Sequence, residues 1–494
     1  MGNVKGRPAG DEPGAGRMGP IRKTKIVCTL GPATTDQGTI QKLIAAGMDV
    51  ARLNFSHGSH AEHASRIRAV RAAAAREGRI VAVMGDLAGP KIRLGEISGG
   101  TALLKAGQEF TLTTREVNGD SDRVSVNYEH LPSEVHKGDA VLLADGALEL
   151  KVLSATSKDV VCNVVVGGTI SSRKGVNLPS THLRISAVTE KDKEDIAFAV
   201  GQQMDYIAVS FVRRPRDVGD ARAILEKIGA SIPVISKIEK PEALPRLAEI
   251  AEISDGIMVA RGDLGVEIPF EKVPVVQKEI IRKARISGKP VITATQMLRS
   301  MVEAPRPTRA ETTDVANAII DGTDAVMLSE ETAVGKYPVE ACAAMSAISI
   351  EAESAMVQDW FPRAAEPALK MDIQGAIAHA VLDASRHPDV SVIVTPSARG
   401  ATPMMISRLR PQKPILMLTE AERVARLFAL IWGVTPVVTR MPADLDEIFA
   451  LAGREAQKRG MLSPGGLAVV TAGFPIFGTP TNLVYIHRLE RGGS

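Results

Sequence analysis

The sequence predicts an α/β chain: a (β/α)8 barrel interrupted by a small β-domain and followed by an open α/β domain. Three observations carry this. About eight short, β-rich apolar runs recur, most of them alternating with amphipathic stretches. The rhythm breaks over residues 94–178, where Gly, Thr and Val dominate and apolar positions alternate. Beyond residue 360 the strand–helix rhythm starts again.

The barrel runs are KIVCTL (25–30), VARLNF (50–55), IVAVMGD (80–86), YIAVSFV (206–212), PVISKIE (233–239), GIMVARGD (256–263), PVITATQ (290–296) and AVMLSEE (325–331). Their alternation with helical patterns argues for parallel strands, and eight of them for a closed TIM barrel. Helices are expected after the first run, in TIQKLIAAGM, and near 60–76. Thr189 precedes EKDKEDIAFAV as a helix start, and Pro241 opens a helix through PEALPRLAEI. The interruption holds EFTLTT, RVSVNY, AVLLAD and VVCNVVVGG, the pattern of a small antiparallel β-barrel. Inserted after the third strand, it is placed to act as a lid. The last domain reads as strands at 390–395, 414–419, 434–439, 467–473 and 482–489. Helices are expected near 372–386, from about 400, at 421–430 and near 443–459. The expected domains are a disordered arm (1–21), the barrel (22–93 and 179–355), the lid (94–178) and the C-terminal α/β domain (356–494).

Composition narrows the function. The 494 residues are 45% hydrophobic and 24% charged, as in soluble globular proteins. Aromatics are 3%, so the core rests on Ala, Val, Ile, Leu and Met, and no aromatic platform serves nucleic acid. The net charge of +3 argues against a broad basic face. Cys28, Cys162 and Cys342 form no disulfide framework and no CxxC pair, which points to a reducing, cytoplasmic setting. No apolar run reaches the roughly 18 residues of a membrane span. The opening MGNVKGRPAGDEPGAGRMGP lacks the apolar core of a secretory signal, and its Gly and Pro read as a disordered arm.

The chemistry concentrates in ISKIEKPEAL (235–244) and MVARGDLGVEIP (258–269). Each apolar strand stops on charge: Lys237 and Glu239 on one, Arg261 and Asp263, beside Gly262 and Gly265, on the other. Two carboxylates and a lysine from neighbouring strands suit Mg²⁺ bridged to an anionic substrate. Structural ion pairs also sit at strand ends, but the pattern here is a ring. The second strand ends in Arg52, Asn54, Ser56 and His57, and the third in Asp86 with Lys91 and Arg93 following. The seventh ends in Thr295 and Gln296, and the eighth in Ser329 and Glu331. Phosphoryl transfer fits this set, since it needs positioning and charge neutralisation more than covalent chemistry. Arg52, Lys237 and Arg93 can meet phosphate oxygens, and Glu239 and Asp263 a divalent metal. Backbone N–H groups at Gly262 and Asp263 can receive a carboxylate. Neither a Walker A motif nor the protein-kinase set is present.

Over residues 22 to 490 the chain resembles the pyruvate kinase family. The matching segments are CTLGPAT (28–34), ARLNFSHG (51–58), GDLAGPKIR (85–93), KGVNLP (174–179), SKIEKPEA (236–243), MVARGDLGVEIP (258–269), ATQML (294–298), PRPTRAE (305–311) and DAVMLSEETAVGKYP (324–338). The resemblance implies phosphoryl transfer from phosphoenolpyruvate to ADP with Mg²⁺ or Mn²⁺. It places Arg52 and Lys237 at the phosphoryl group, and Glu239 and Asp263 on the divalent metal. Gly262, Asp263 and Thr295 fall at the carboxylate and enolate end, with Thr295 ordering the proton relay. Asn54, His57 and Arg93 fall on the nucleotide side, with Arg214 where the family often has lysine.

The family's K⁺ site maps to Asn54, Ser56, Asp86 and the Leu87 carbonyl. K⁺-dependent members typically carry Glu in GPEIR where this chain has Lys91 in GPKIR, so the lysine ammonium is expected to replace K⁺. In the family's effector turn this chain reads TPSARGAT (395–402): Thr395, Ser397 and Arg399 remain, while Ala398 and Gly400 depart. Together with a short loop at 473–482, this predicts no sugar-bisphosphate effector; a monophosphate effector, or none, fits. Glu330, where the family has a small residue, is expected to be a solvated charge. The resemblance implies a homotetramer. The rival reading is a metal-dependent lyase or mutase barrel acting on phosphoenolpyruvate or pyruvate, which needs no nucleotide, lid or C-terminal domain. Lys237→Met is expected to cost rate with little loss of folding stability.

Overall fold

A computed structural model describes residues 21–179, 181, 184–357, 372–463, 465–473 and 480–489. The arm at 1–20, the loop with Pro362 and Pro367, and part of the 473–482 loop lie outside these residues.

Eight parallel strands close into a barrel: β1 (Lys25–Thr29), β2 (Val50–Asn54), β3 (Ala82–Asp86), β4 (Tyr206–Val209), β5 (Val234–Ile238), β6 (Gly256–Ala260), β7 (Val291–Ala294) and β8 (Ala325–Leu328). Side chains of a strand alternate between its faces, and here the alternation sorts the sequence. Val27, Val50, Met84, Ala208, Ile235 and Met258 share one apolar cluster within the barrel. Ile26, Leu53, Val83, Ile207, Val234 and Ile257 belong to a second, shared with the surrounding helices. Two residues beyond the last apolar member of the inner series stand Thr29, Arg52, Asp86, Ser210 and Lys237, with Glu239 two further on. The same periodicity that packs the barrel therefore delivers its polar mouth.

Helix starts follow the sequence signals. The Thr189 hydroxyl accepts from the Asp192 amide, Asp192 reaches back to Thr189 N at 2.8 Å, and Glu190–Gly201 follows. The Pro241 segment differs from expectation: Pro241–Arg246 is a 3-10 turn and the α-helix begins only at Leu247. The second proline, Pro245, has no N–H to donate to an α-helical ladder.

The inserted domain has its own core around Phe110, Leu112, Leu150 and Val164. It is a six-stranded sheet plus a two-stranded ribbon (Thr101–Leu104 with Gly168–Ser171), and bridges from Arg93 to Gly175 and from Leu94 to Val126 join the sheet's two edges, rolling it into the small barrel expected. One pair, Glu109–Thr113 with Arg123–Ser125, runs parallel; the other pairs in the sheet are antiparallel. The C-terminal sheet orders its strands Val434–Val438, Ile415–Thr419, Val390–Pro396, Leu467–Ala472 and Leu483–Arg488, the last antiparallel. This domain closes the barrel floor. Ala429 and Leu430 join the inner cluster. Lys25 Nζ donates to the Val434 carbonyl at 2.7 Å, and the Tyr206 hydroxyl to that of Leu427.

Candidate active site

Asp86 is the centre of the barrel mouth. Its Oδ2 accepts from Arg52 Nε at 2.6 Å, and its Oδ1 lies 3.2 Å from Lys237 Nζ. Arg52 is oriented a second time by Nη1 donating to Thr29 Oγ1 at 2.8 Å. Lys237 Nζ donates to Ser210 Oγ at 2.7 Å and sits 2.9 Å from Glu239 Oε1. The Ser210 hydroxyl in turn donates to the Leu87 carbonyl at 2.7 Å. Glu239 Oε2 takes the Phe211 amide at 2.7 Å, a geometry reached with Phe211 at φ 56°.

Both carboxylates are essentially inaccessible to solvent. Burial works against the Lys237 ammonium, but Asp86 and Glu239 outweigh it and hold its pKa above the usual lysine value. Burial likewise opposes ionised Asp86, and Lys237 with Arg52 overcomes it. Glu239 goes the other way: burial and the Asp263 charge raise its carboxyl above the ordinary range, with Lys237 opposing. Asp86 Oδ1 and Glu239 Oε1 accept no hydrogen bond. Lys237 reaches both as ion pairs, at 3.2 Å and 2.9 Å.

On the next strands, Thr295 Oγ1 accepts from Gly262 N at 2.7 Å and donates to the Ala294 carbonyl at 2.6 Å. Thr295 has φ 69° and Gln296 φ 56°. A β-branched residue in the left-handed region costs about 1–3 kcal/mol and persists only where its surroundings over-determine it. Arg261 does this: Nη2 donates to the Thr295 carbonyl at 2.8 Å, while Nη1 holds both Asp314 oxygens at 2.7 Å. Arg261, conspicuous in the sequence, is thus a positioning residue whose charge is spent on Asp314.

Asp263 opens a short helix, Arg261–Glu267, with its side chain 30% exposed. Among the described residues no three His, Cys, Asp or Glu side chains converge as a metal cage. Glu239, with an unsaturated buried oxygen, and Asp263 fit a Mg²⁺ ion that takes its other oxygens from substrate and water.

The remaining expected residues stand around this centre. His57 is exposed beyond β2, and burial together with Arg93, Lys91 and Arg52 pushes its pKa down, keeping it neutral. Arg93 is tied to the lid through its amide on Asn127 and Nη1 on the Arg173 carbonyl. Arg214 precedes the helix Pro215–Lys227, 3.5 Å from Asp217. Of the K⁺ set, Asn54 Oδ1 accepts from Ser56 N, Asp86 serves Arg52 and Lys237, and the Leu87 carbonyl accepts from Ser210. Lys91 Nζ lies 3.6 Å from Asp263, so its charge falls at that carboxylate and not on the expected K⁺ set. In the C-terminal domain Ser397 and Arg399 line an open cleft, whereas Thr395 is fully buried and outside its lining.

Sequence reasoning missed Thr29, Ser210 and the Phe211 amide. Ser210 and Thr29 each close an apolar run two residues past an inner-facing position, which was the available signal. It also over-read the eighth strand: Glu331 is buried and accepts from Leu298 N and Ser329 N, bracing the backbone. Glu330 pairs with Arg299 at 2.8 Å with both side chains half exposed, the solvated charge expected.

A closed parallel barrel with clamped cations and buried carboxylates at its mouth, joined to an inserted β-domain, is the arrangement of a barrel enzyme. Residues 21–342 match the family model "Pyruvate kinase, barrel domain", and residues 375–487 match "Pyruvate kinase, alpha/beta domain". Pyruvate kinases of Staphylococcus aureus strains USA300 and COL are 46% identical over 470 residues, 94% of this chain and 80% of theirs. The crystal structure of a pyruvate kinase from Cryptosporidium parvum superposes with a TM-score of 0.87 at 38% identity, covering 95% of this chain and 96% of that one. The chain belongs to the pyruvate kinase family and is a phosphotransferase.

Proposed function

We propose that this enzyme transfers the phosphoryl group of phosphoenolpyruvate to ADP, giving ATP and pyruvate, with Mg²⁺ or Mn²⁺ and without a need for K⁺. The observation that carries the reading is the Lys237 clamp: an ammonium held charged between Asp86 and Glu239 and aimed by Ser210. Such a preorganised cation stabilises charge on a phosphoryl group in transit without reorganising as it moves.

Arg52, fixed by Asp86 and Thr29, meets the same group from the opposite side. The phosphorus–oxygen bond to the enol breaks, a β-phosphate oxygen of ADP takes the phosphoryl group, and the enolate carbon takes a proton. The Thr295 hydroxyl, locked between Gly262 N and the Ala294 carbonyl, orders the water or relay that supplies this proton. Of the two amides expected to receive the substrate carboxylate, the Gly262 N–H is committed to Thr295 Oγ1, which leaves the Asp263 amide for that role. Glu239 and Asp263 would hold the divalent ion, which when bound would neutralise phosphate charge. Asn54, His57, Arg93 and Arg214 attend the nucleotide. His57 is kept neutral by its cationic neighbours, so it donates or accepts there without adding charge.

Lys91 supplies a fixed positive charge at the mouth in place of K⁺. Asp86 already stands between the Arg52 and Lys237 cations, which supports a site that works without a bound monovalent ion. Ser397 and Arg399 suit a monophosphate effector at most. A cytoplasmic homotetramer accords with the family. Among the described residues no helix is long and apolar enough to cross a membrane.

A lactate dehydrogenase-coupled assay tests the whole reading. Turnover should require phosphoenolpyruvate, ADP and Mg²⁺, and should persist when K⁺ is replaced by tetramethylammonium. Absence of turnover in folded, metal-loaded protein would refute the reaction; turnover only with K⁺ would refute the role of Lys91.

A further inference from the structure

At the floor of the barrel, on the side away from the mouth, three arginines meet in one cleft between the barrel and the C-terminal domain. Arg285 comes from the barrel helix Val273–Ile286, Arg408 ends the C-terminal-domain helix Ala401–Arg408, and Arg410 follows it. The one carboxylate in the cleft lining is Asp324. It is already engaged: Oδ2 accepts from Val291 N at 2.9 Å and Oδ1 lies 3.0 Å from Arg410 Nη2. The cleft thus holds three guanidinium groups against one carboxylate, paired with Arg410; its fourth cationic side chain, Lys289, turns its Nζ to the Glu252 carbonyl at 3.2 Å.

The guanidinium groups are seated, not loose. Arg410 stacks over Trp432 at 4.7 Å and donates through Nη2 to the Gly322 carbonyl at 2.8 Å. Gly288 and Gly322, at φ 66° and 98°, leave room for the others. A Cβ on Gly288 would come within 2.1 Å of Arg408 Cζ, and one on Gly322 within 2.7 Å of Arg285 Nη1. Yet Arg285 Nε, Arg408 Nε and both Nε and Nη1 of Arg410 are buried with no acceptor among the described residues. Arg285 is itself only 9% exposed. Burial and the Arg410 charge push its pKa down to about 10, and burial lowers that of Arg408. Cations that repel one another and carry unpaired donors in a seated cleft require a counter-anion with several acceptor oxygens. Planar arginine forks match a tetrahedral oxyanion best.

We propose that this cleft binds a phosphate-type oxyanion, either inorganic phosphate or the phosphate of a small metabolite, held jointly by Arg285, Arg408 and Arg410. Because the ligands come from both domains, occupancy ties the C-terminal domain to the barrel floor. The cleft is separate from the mouth of the barrel and from the Ser397–Arg399 cleft.

The test uses the full chain and inorganic phosphate, with chloride at matched ionic strength as reference. Thermal unfolding and calorimetric titration are compared for the parent, Arg408→Gln and Ser397→Ala. Phosphate should raise the parent midpoint, and at least part of that rise should persist in Ser397→Ala. Arg408→Gln should lose a part of it, and the site that remains should bind at least about tenfold more weakly. In chloride alone Arg408→Gln should be as stable as the parent or more so, since a repelling charge is gone. If Arg408→Gln does not fold, Arg408→Lys, which keeps charge but not the fork, takes its place. A crystal soaked in selenate should show an anomalous peak among the three guanidinium groups. Equal affinity for phosphate and a sugar monophosphate would identify the free ion as ligand; tighter binding of the ester would identify a metabolite. A phosphate response unchanged by Arg408→Gln, or a selenate peak only at the mouth or beside Ser397, would overturn the proposal.

Discussion

The two ends of the barrel use buried charge in opposite ways. At the mouth, Arg52 and Lys237 share Asp86, and Glu239 stands beside Lys237; the buried atoms left without a hydrogen bond are carboxylate oxygens. At the floor, Asp324 pairs with Arg410, one of three arginines, and the buried atoms left without a partner are N–H groups. At the mouth two carboxylates hold the Lys237 pKa up; at the floor burial pushes those of Arg285 and Arg408 down. The sign of the leftover hydrogen-bonding capacity thus separates a cation site from an anion site when both are lined by the same residue types.

Lys237→Met should break the mouth most severely. We expect a loss of roughly 10²–10³ or more in kcat, read in the coupled assay. The structure also revises the stability expected from sequence. Removing an ammonium from between two buried carboxylates leaves uncompensated charge, worth about 3–5 kcal/mol, so the variant should unfold at clearly lower denaturant as well. A stable variant with parental turnover would remove Lys237 from the mechanism.

Lys25 sharpens the floor side. Burial lowers its pKa to about 8, with Asp49 opposing, whereas the unfolded chain titrates near 10.5. Between these values the unfolded state holds more protons, so stability from this group rises with pH through the window and is lost as pH falls back to 8. Denaturation from pH 7.5 to 10.5 should show this gain, at most roughly 3 kcal/mol, and Lys25→Met should flatten it. An identical slope in the variant would show that Lys25 titrates normally.

Glu239→Gln leaves the lysine clamp partly in place but removes a metal oxygen. The Mg²⁺ concentration for half-maximal rate should rise by roughly tenfold or more, with a far smaller change in the phosphoenolpyruvate dependence at saturating Mg²⁺. Lys91→Glu is the mildest change. Its rate without K⁺ should fall by about tenfold and recover when K⁺ is added, because an added carboxylate recreates a cation site. An unresponsive variant would leave Lys91 with no part in monovalent-ion independence.

Much of the mouth was legible in sequence because apolar strands announce themselves and their last polar residues stand out. Lys237, Glu239, Asp263, Arg52 and Thr295 were found this way. What escaped was mutual engagement: nothing local says that Asp86 lies between Arg52 and Lys237, or that Arg261 spends its charge on Asp314 across a helix. Thr29 and Ser210 were overlooked because a lone hydroxyl at a strand end looks like punctuation. The strands of the lid were legible from their alternation, but the parallel pairing of Glu109–Thr113 with Arg123–Ser125 was not, since alternation does not fix strand direction. The arginine cleft could not be read at all. Its members lie 123 and 125 residues apart along the chain, on two domains, and become neighbours only when the floor is closed.

The alternation that carries Ile235, Lys237 and Glu239 to one face of β5 also couples folding to activity. A strand that slips by one residue exchanges its two faces, turning Lys237 toward the helices and Ile238 into the mouth. No misregistered barrel can then be a slightly impaired enzyme; it has no ammonium at the phosphoryl group. Turnover per mole of chain therefore serves as a count of correctly registered barrels, and a refolding experiment followed by activity reads strand registry directly.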